Sequence, residues 1–159
     1  MGLLDKESVK RVKKVLKDFN PEMNIIILEE SARTATDAAN SINCEVGAIV
    51  KSLLFKAESN FILCLVSGDM KCSLNLLKKI VSVKDISMAS PEEVKKQTGY
   101  TIGGVSPVGH NNKIEILIDN TLERFINLYA AAGHPNCVFK INFKNLQKIT
   151  NGEVKKLTE

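Results

Sequence analysis

At 159 residues, 44% hydrophobic and 25% charged, the chain has the length and composition of one globular domain with a full hydrophobic core. It has no Trp and only 5% aromatic residues, which leaves few platforms for stacking bare nucleic-acid strands. Its net charge of +4 permits an anionic partner without requiring one, and its apolar runs fall short of the roughly 20 residues of a membrane span.

The start, MGLLDKESVKRVKK, places charges where a signal peptide needs apolar residues, and Lys6 stands where a myristoylation motif wants Ser or Thr. A cytoplasmic protein, with no membrane association, is expected. Val9, Val12, Leu16 and Phe19 recur at helical spacing opposite Lys10, Arg11, Lys13, Lys14 and Lys17, which predicts an amphipathic first helix ended by Asn20-Pro21. MNIIILE reads as a short buried strand. Thr34-Ala35-Thr36-Asp37 fits a capping box and starts a second helix that runs to about Ile42, burying Ala38, Ala39 and Ile42.

IVKSLLFKA and FILCLVSG, separated by the polar ESN, predict a hairpin of central strands, with Asp69 just beyond it. Ser73 to Ile80 reads as a third helix and DISMA as a short strand. Ser90-Pro91-Glu92-Glu93 combines a hydroxyl cap, Pro at the first helical position and a reciprocal Glu, and the helix it starts stops at Gly99. TIGGVSPVGH is a Gly/Pro-rich loop. KIEILID, NLYAAAG and CVFKI predict three more strands, FKNLQKI a closing helix, and the remainder a polar tail. Short strands interleaved with short helices, without a regular βαβ repeat, predict a mixed α/β fold in one domain over residues 1–159.

Three places carry chemistry. Lys51 interrupts an apolar strand, sharing a face with Ile49, Leu53 and Phe55. A lone strand lysine commonly snorkels to solvent, but both faces here are apolar and an unpaired buried ammonium is costly, so Lys51 is expected to face a polar cavity with an anionic or carbonyl-bearing ligand. Gly103-Gly104, followed by Val105, Ser106 and Pro107, is either a plain turn or a loop that presents bare backbone N–H groups; no phosphate-binding fingerprint accompanies it. Gly133-His134-Pro135-Asn136 is a turn whose His, three residues before Cys137, has no evident orienting carboxylate for a Cys-His nucleophile pair. The four cysteines, Cys44, Cys64, Cys72 and Cys137, form no CxxC pair and stand at no zinc spacing from His110 or His134. Neither a metal nor a cofactor is expected.

In their order and intervals, ARTATDAA, VGAIVKSLLF, LVSGD, TGYTIGGVSPVGH, the strand ending LIDNTL, and AAAGHPNCVFKI resemble the YbaK family over roughly residues 20 to 150. These are small free-standing aminoacyl-tRNA deacylases, similar to the editing domain inserted in some prolyl-tRNA synthetases. The resemblance implies a largely antiparallel sheet curled toward a barrel with helices around it, and hydrolysis of the ester that joins a wrong amino acid to the terminal adenosine of tRNA. It places the family's strand lysine on Lys51, holding the terminal phosphate or the developing oxyanion, and its glycine loop on Gly103 and Gly104, whose N–H groups would hold the acyl group. His134 is a further catalytic candidate; Thr34, Ser106, Asn136 and, at one remove, Asp69 are substrate-binding candidates. Such a site suits an activated ester, where positioning a water and stabilising an oxyanion suffice. The implied partners are mischarged tRNA, most simply tRNA for proline with a small wrong amino acid such as Cys or Ala, and prolyl-tRNA synthetase. A non-catalytic module that binds aminoacyl-tRNA or a synthetase is the competing reading.

Overall fold

A computed structural model describes residues 2–30 and 33–159. Ala32, the first residue of the ARTATDAA stretch, and Met1 of the Met-Gly start lie outside the described residues. Among the described residues five α-helices surround one curled mixed sheet: α1 (Glu7–Phe19), α2 (Ala35–Ile42), α3 (Leu74–Val81), α4 (Pro91–Thr98) and α5 (Phe143–Thr150). The strands are β1 (Ile25–Ile27), β2 (Ile49–Ala57), β3 (Asn60–Ser67), β4 (Ile86–Met88), β5 (Glu115–Asp119), β6 (Leu128–His134), β7 (Cys137–Ile141) and β8 (Glu153–Lys155). No helix among the described residues is long and apolar enough to cross a membrane.

Side-chain caps start these helices, at Thr34 and Ser90 as the sequence predicts and also at Ser73. Thr34 Oγ1 accepts from Asp37 N (3.1 Å), Ser73 Oγ from Leu76 N (3.2 Å), and Ser90 with Glu93 closes a full capping box at 3.1 and 2.9 Å. Gly99 ends α4 at φ 85°, a left-handed value that glycine adopts without a Cβ penalty. On α1, Val9, Val12 and Leu16 are buried to 1% exposure or less, each stabilising the fold by about 1.5–3 kcal/mol. Phe19, placed on the same stripe by its spacing, is 37% exposed at the last residue of the helix.

The strands run β1-β7-β6-β2-β3-β5-β8, with β4 also pairing with β2. β2 and β3 form the predicted antiparallel hairpin, while β2–β6, β3–β5 and β5–β8 are parallel. Alternation along β2 sends Val50 and Leu54 into the main core and Phe55 and Ala57 into a second cluster beneath Leu77 of α3.

The tail is not a free polar end. Residues Glu153–Lys155 form β8 against β5, and Leu157 and Thr158 are buried at 0% and 2% exposure. Buried Asp119 holds this segment: its carboxylate accepts from Leu157 N (2.7 Å), Thr158 Oγ1 (3.1 Å) and the Thr121 hydroxyl. A three-residue strand whose one apolar residue, Val154, stands between Glu153 and Lys155 has no hydrophobic period to betray it.

Candidate functional site

The site begins with a gap in hydrogen bonding along one edge of β2. β6 pairs with β2 only at Ile49 and Val50, and β4 pairs with it only from Phe55 to Ala57. Between them, Lys51, Ser52 and Leu53 have no strand partner on that side among the described residues, and Leu54 O accepts from Ala89 N (3.0 Å). Ile49 O accepts from Gly68 N on the β3 side (2.8 Å), so by alternation the Ser52 N–H and C=O point away from β3, into the gap. A cavity of about 390 Å³ fills the opening. α2 supplies Ala35 and Ala38, β6 supplies Tyr129 to Ala131 and His134, and Val94, Val105 and Val138 close its apolar floor.

Lys51 lines this cavity, which is mainly apolar and not the polar one expected from the strand pattern. Its ammonium donates to Met70 O, and burial lowers its pKa, opposed in part by the nearby Asp69 and Cys72. Thr34 lines the mouth and caps α2 with the same oxygen. Gly103 lines the cavity at φ 94°, with 3.6 Å of clearance from a would-be Cβ to Pro135 Cγ.

Gly104 is placed differently from its neighbour. Its N–H donates to Thr101 O (3.0 Å), so it closes a turn instead of facing an acyl group. It packs on the β6 end instead: a Cβ there would sit 3.0 Å from both Cα and N of His134. Only Gly103 of the pair faces the cavity. Ser106 is fully buried outside it, where its Oγ accepts from Val108 N (3.3 Å) and its carbonyl meets His110 Nε2 (2.7 Å). With Tyr100 Oη donating to Val108 O (2.7 Å), these bonds make the glycine loop a braced unit.

His134 lines the cavity, and its Nδ1 accepts from Asn136 N (3.0 Å), so the neutral ring carries its proton on Nε2. Burial first, then Lys6 and Arg33, hold its pKa below the ordinary value. The residue is therefore a hydrogen-bond donor at neutral pH. Asn136 lies outside the cavity; its side chain donates to Leu28 O (3.2 Å) and fixes the turn that aims His134. Asp69 also lies outside, in a two-point pair with Arg124 (2.8 and 3.2 Å) that keeps its carboxyl below the usual range. It acts on Lys51 only as a nearby charge.

Lys51, from β2, and His134, from β6, therefore line one apolar cleft together with Gly103 and Thr34. A family model described as an aminoacyl-tRNA editing domain matches residues 29–149. The chain belongs to this family. The uncharacterized protein YwhH of Bacillus subtilis (strain 168) is 32% identical over 148 residues, covering 92% of this chain and 94% of YwhH. The proline–tRNA ligase of Kosmotoga olearia is 34% identical over 111 residues, which are 69% of this chain and 19% of the ligase. A crystal structure presented as a candidate trans-editing enzyme for prolyl tRNA synthetase superposes with a TM-score of 0.91 at 37% identity, covering 97% of this chain and 98% of that one.

This editing domain also has cavity residues that the sequence pattern did not single out. Arg33 stands at the mouth, and Met88 and Ile102, 60% and 61% exposed, flank it. Ser52 lines it too, and its buried Oγ has no hydrogen-bond partner among the described residues. Ser52 follows Lys51 directly, but a serine on the apolar face of a strand carries no signal until the gap beside it is seen. On the first helix, Arg11 is not a free surface cation: it bonds Asn111 Oδ1 (2.8 Å) and lies 4.8 Å over the Tyr100 ring. Lys14 pairs with Asp18 (3.0 Å) and Lys17 bonds Pro21 O and Asn24 Oδ1, each at 2.9 Å, leaving Lys10 and Lys13 exposed.

Proposed function

We propose that the chain is a trans-editing hydrolase that deacylates mischarged tRNA, removing a small wrong amino acid such as Cys or Ala from tRNA for proline. One observation carries the reading: a cleft of about 390 Å³ in a family editing domain, lined by Lys51, Gly103 and His134. In the mechanism we infer, the acyl ester enters past Thr34 and Arg33, and its carbonyl lies between the Lys51 ammonium and the His134 Nε2–H. A water adds to the carbonyl carbon, and the two donors stabilise the oxyanion. The intermediate then collapses with cleavage of the bond to the ribose oxygen, which leaves as the hydroxyl of the terminal adenosine. An ester needs no stronger nucleophile, and the ribose hydroxyl beside it can help orient the water.

The small floor supports a small acyl group, since Ala38, Ala130 and Ala131 leave space that Val50, Val94 and Val105 bound. Hydrophobic discrimination of this kind is worth only about 1–3 kcal/mol per methylene, so tRNA or synthetase selection must supply the rest. The test is deacylation of a panel of aminoacyl-tRNAs with and without prolyl-tRNA synthetase. Turnover of small acyl groups from tRNA for proline, with prolyl-tRNA itself spared, is the expected result. Binding without turnover of any member would instead establish an accessory module.

A further inference from the structure

The cavity carries charge of one sign only. Arg33 at its mouth, Lys51 on β2 and, when protonated, His134 on β6 are its cationic groups, and Tyr129 and Cys137 are its remaining ionisable ones. No carboxylate lines it among the described residues. Asp69, the acid that bears on Lys51, is engaged by Arg124, and Asp37 in the first turn of α2 is exposed and outside the lining. The N-terminus of α2 meets the cavity through Thr34 and Ala35, so the positive end of the helix adds to the same sign. The walls from α4, β7 and the glycine loop contribute uncharged side chains.

An aminoacyl ester in this cleft brings its own α-amine. As an ammonium, that group would be a further cation in an apolar cleft with no counter-ion. As a neutral amine it needs only an acceptor, and the cleft has one in the Ser52 C=O directed into the gap. A hydroxyl in place of the amine would fit the same acceptor. Resting on the editing reading, we propose that the acyl subsite takes the α-substituent uncharged, and that the protein also hydrolyses α-hydroxyacyl esters of tRNA. The balance is that of any ester: water adds to the carbonyl, the bond to the ribose oxygen breaks, that oxygen takes the proton, and the hydroxy acid is released.

The pair that tests this is alanyl-tRNA and lactyl-tRNA for proline, near-isosteric and differing by amine against hydroxyl. kcat/KM for each, divided by its uncatalysed rate, is measured from pH 6 to pH 9. A free α-amine titrates at about 7.7–8.0, so roughly 1 in 100 alanyl esters is neutral at pH 6. The site lowers the bound amine's pKa, so alanyl binding is weak at low pH and recovers as pH rises through the free value. Titration of the protein's own groups acts on both esters and cancels in the ratio. The lactyl-to-alanyl ratio should rise from about 1 at pH 9 to about tenfold or more at pH 6. Arg33→Glu, which puts a carboxylate at the mouth, should cut the pH 6 ratio several-fold. A flat ratio, an inert lactyl ester beside an active alanyl one, or a ratio indifferent to Arg33→Glu overturns the inference and leaves editing intact. If no small aminoacyl ester is cleaved, the editing reading falls and takes this inference with it.

Discussion

Lys51→Met separates the two roles a buried lysine can have. Methionine keeps the apolar stem against Ile49 and Leu53 and removes only the ammonium. The fold loses the bond from Nζ to Met70 O, worth about 1.5–3 kcal/mol for a charged donor, and sheds the desolvation that lowers the Lys51 pKa. These effects oppose each other, and Met70 is only half-buried, so water can reach its carbonyl. A net change within about 1 kcal/mol corresponds to a Tm shift of roughly 2–4 °C for a chain of this length. Catalysis has no such compensation: losing one oxyanion donor costs about 2.7–4 kcal/mol, or about 10²–10³ in kcat. Single-turnover deacylation and a thermal melt on the same preparation measure both. A variant melting within a few degrees of wild type and deacylating at the wild-type rate would refute the assignment of Lys51 as the oxyanion's cation.

Gly104→Ala should lower both stability and activity, because its Cβ would meet the backbone of His134 at 3.0 Å; overpacking of about 1–3 kcal/mol is expected in a denaturant melt. Gly103→Ala has space but a φ of 94°, so a strain of about 1–2 kcal/mol and a shifted loop should raise KM more than they lower Tm. Asp119→Ala should remove the anchor of the C-terminal segment and leave the Leu157 N–H unpaired, costing about 3 kcal/mol, or roughly 6–12 °C in Tm, with the cavity untouched. Charge reversal of Lys10 and Lys13 should raise KM for mischarged tRNA and flatten its salt dependence, while turnover of a minimal aminoacyl-adenosine ester stays at the wild-type value. Equal effects on both substrates would show that these lysines do not contact phosphate.

The local instructions were legible because they act within a few residues. Ser90-Pro91-Glu92-Glu93 caps α4 through contacts three positions apart, and Thr34 does the same for α2. The apolar runs of β2 and β3 announced a central hairpin, and the lysine inside one of them announced a cavity. The resemblance then supplied roles for Lys51, Gly103 and His134, all of which line that cavity. β8 stayed hidden because its stability comes from β5 and from Asp119, more than thirty residues away, and not from its own composition.

Which of those residues meet was decided only in three dimensions. Lys51 and His134 are far apart in the chain and come to line one cavity because β6 pairs with β2 for two residues and then diverges. That divergence leaves the Ser52 backbone unpaired, opens the cleft, and gives an otherwise unremarkable serine a place in it. Gly103 and Gly104 look equivalent in sequence, yet one faces the cavity at φ 94° while the other spends its N–H on Thr101 and its missing side chain on the approach of His134. Local pattern determines which elements form, since propensity and capping are short-range. Strand order and divergence determine where charge, acceptors and empty space coincide, since they arise only when distant segments compete for the same edge of β2.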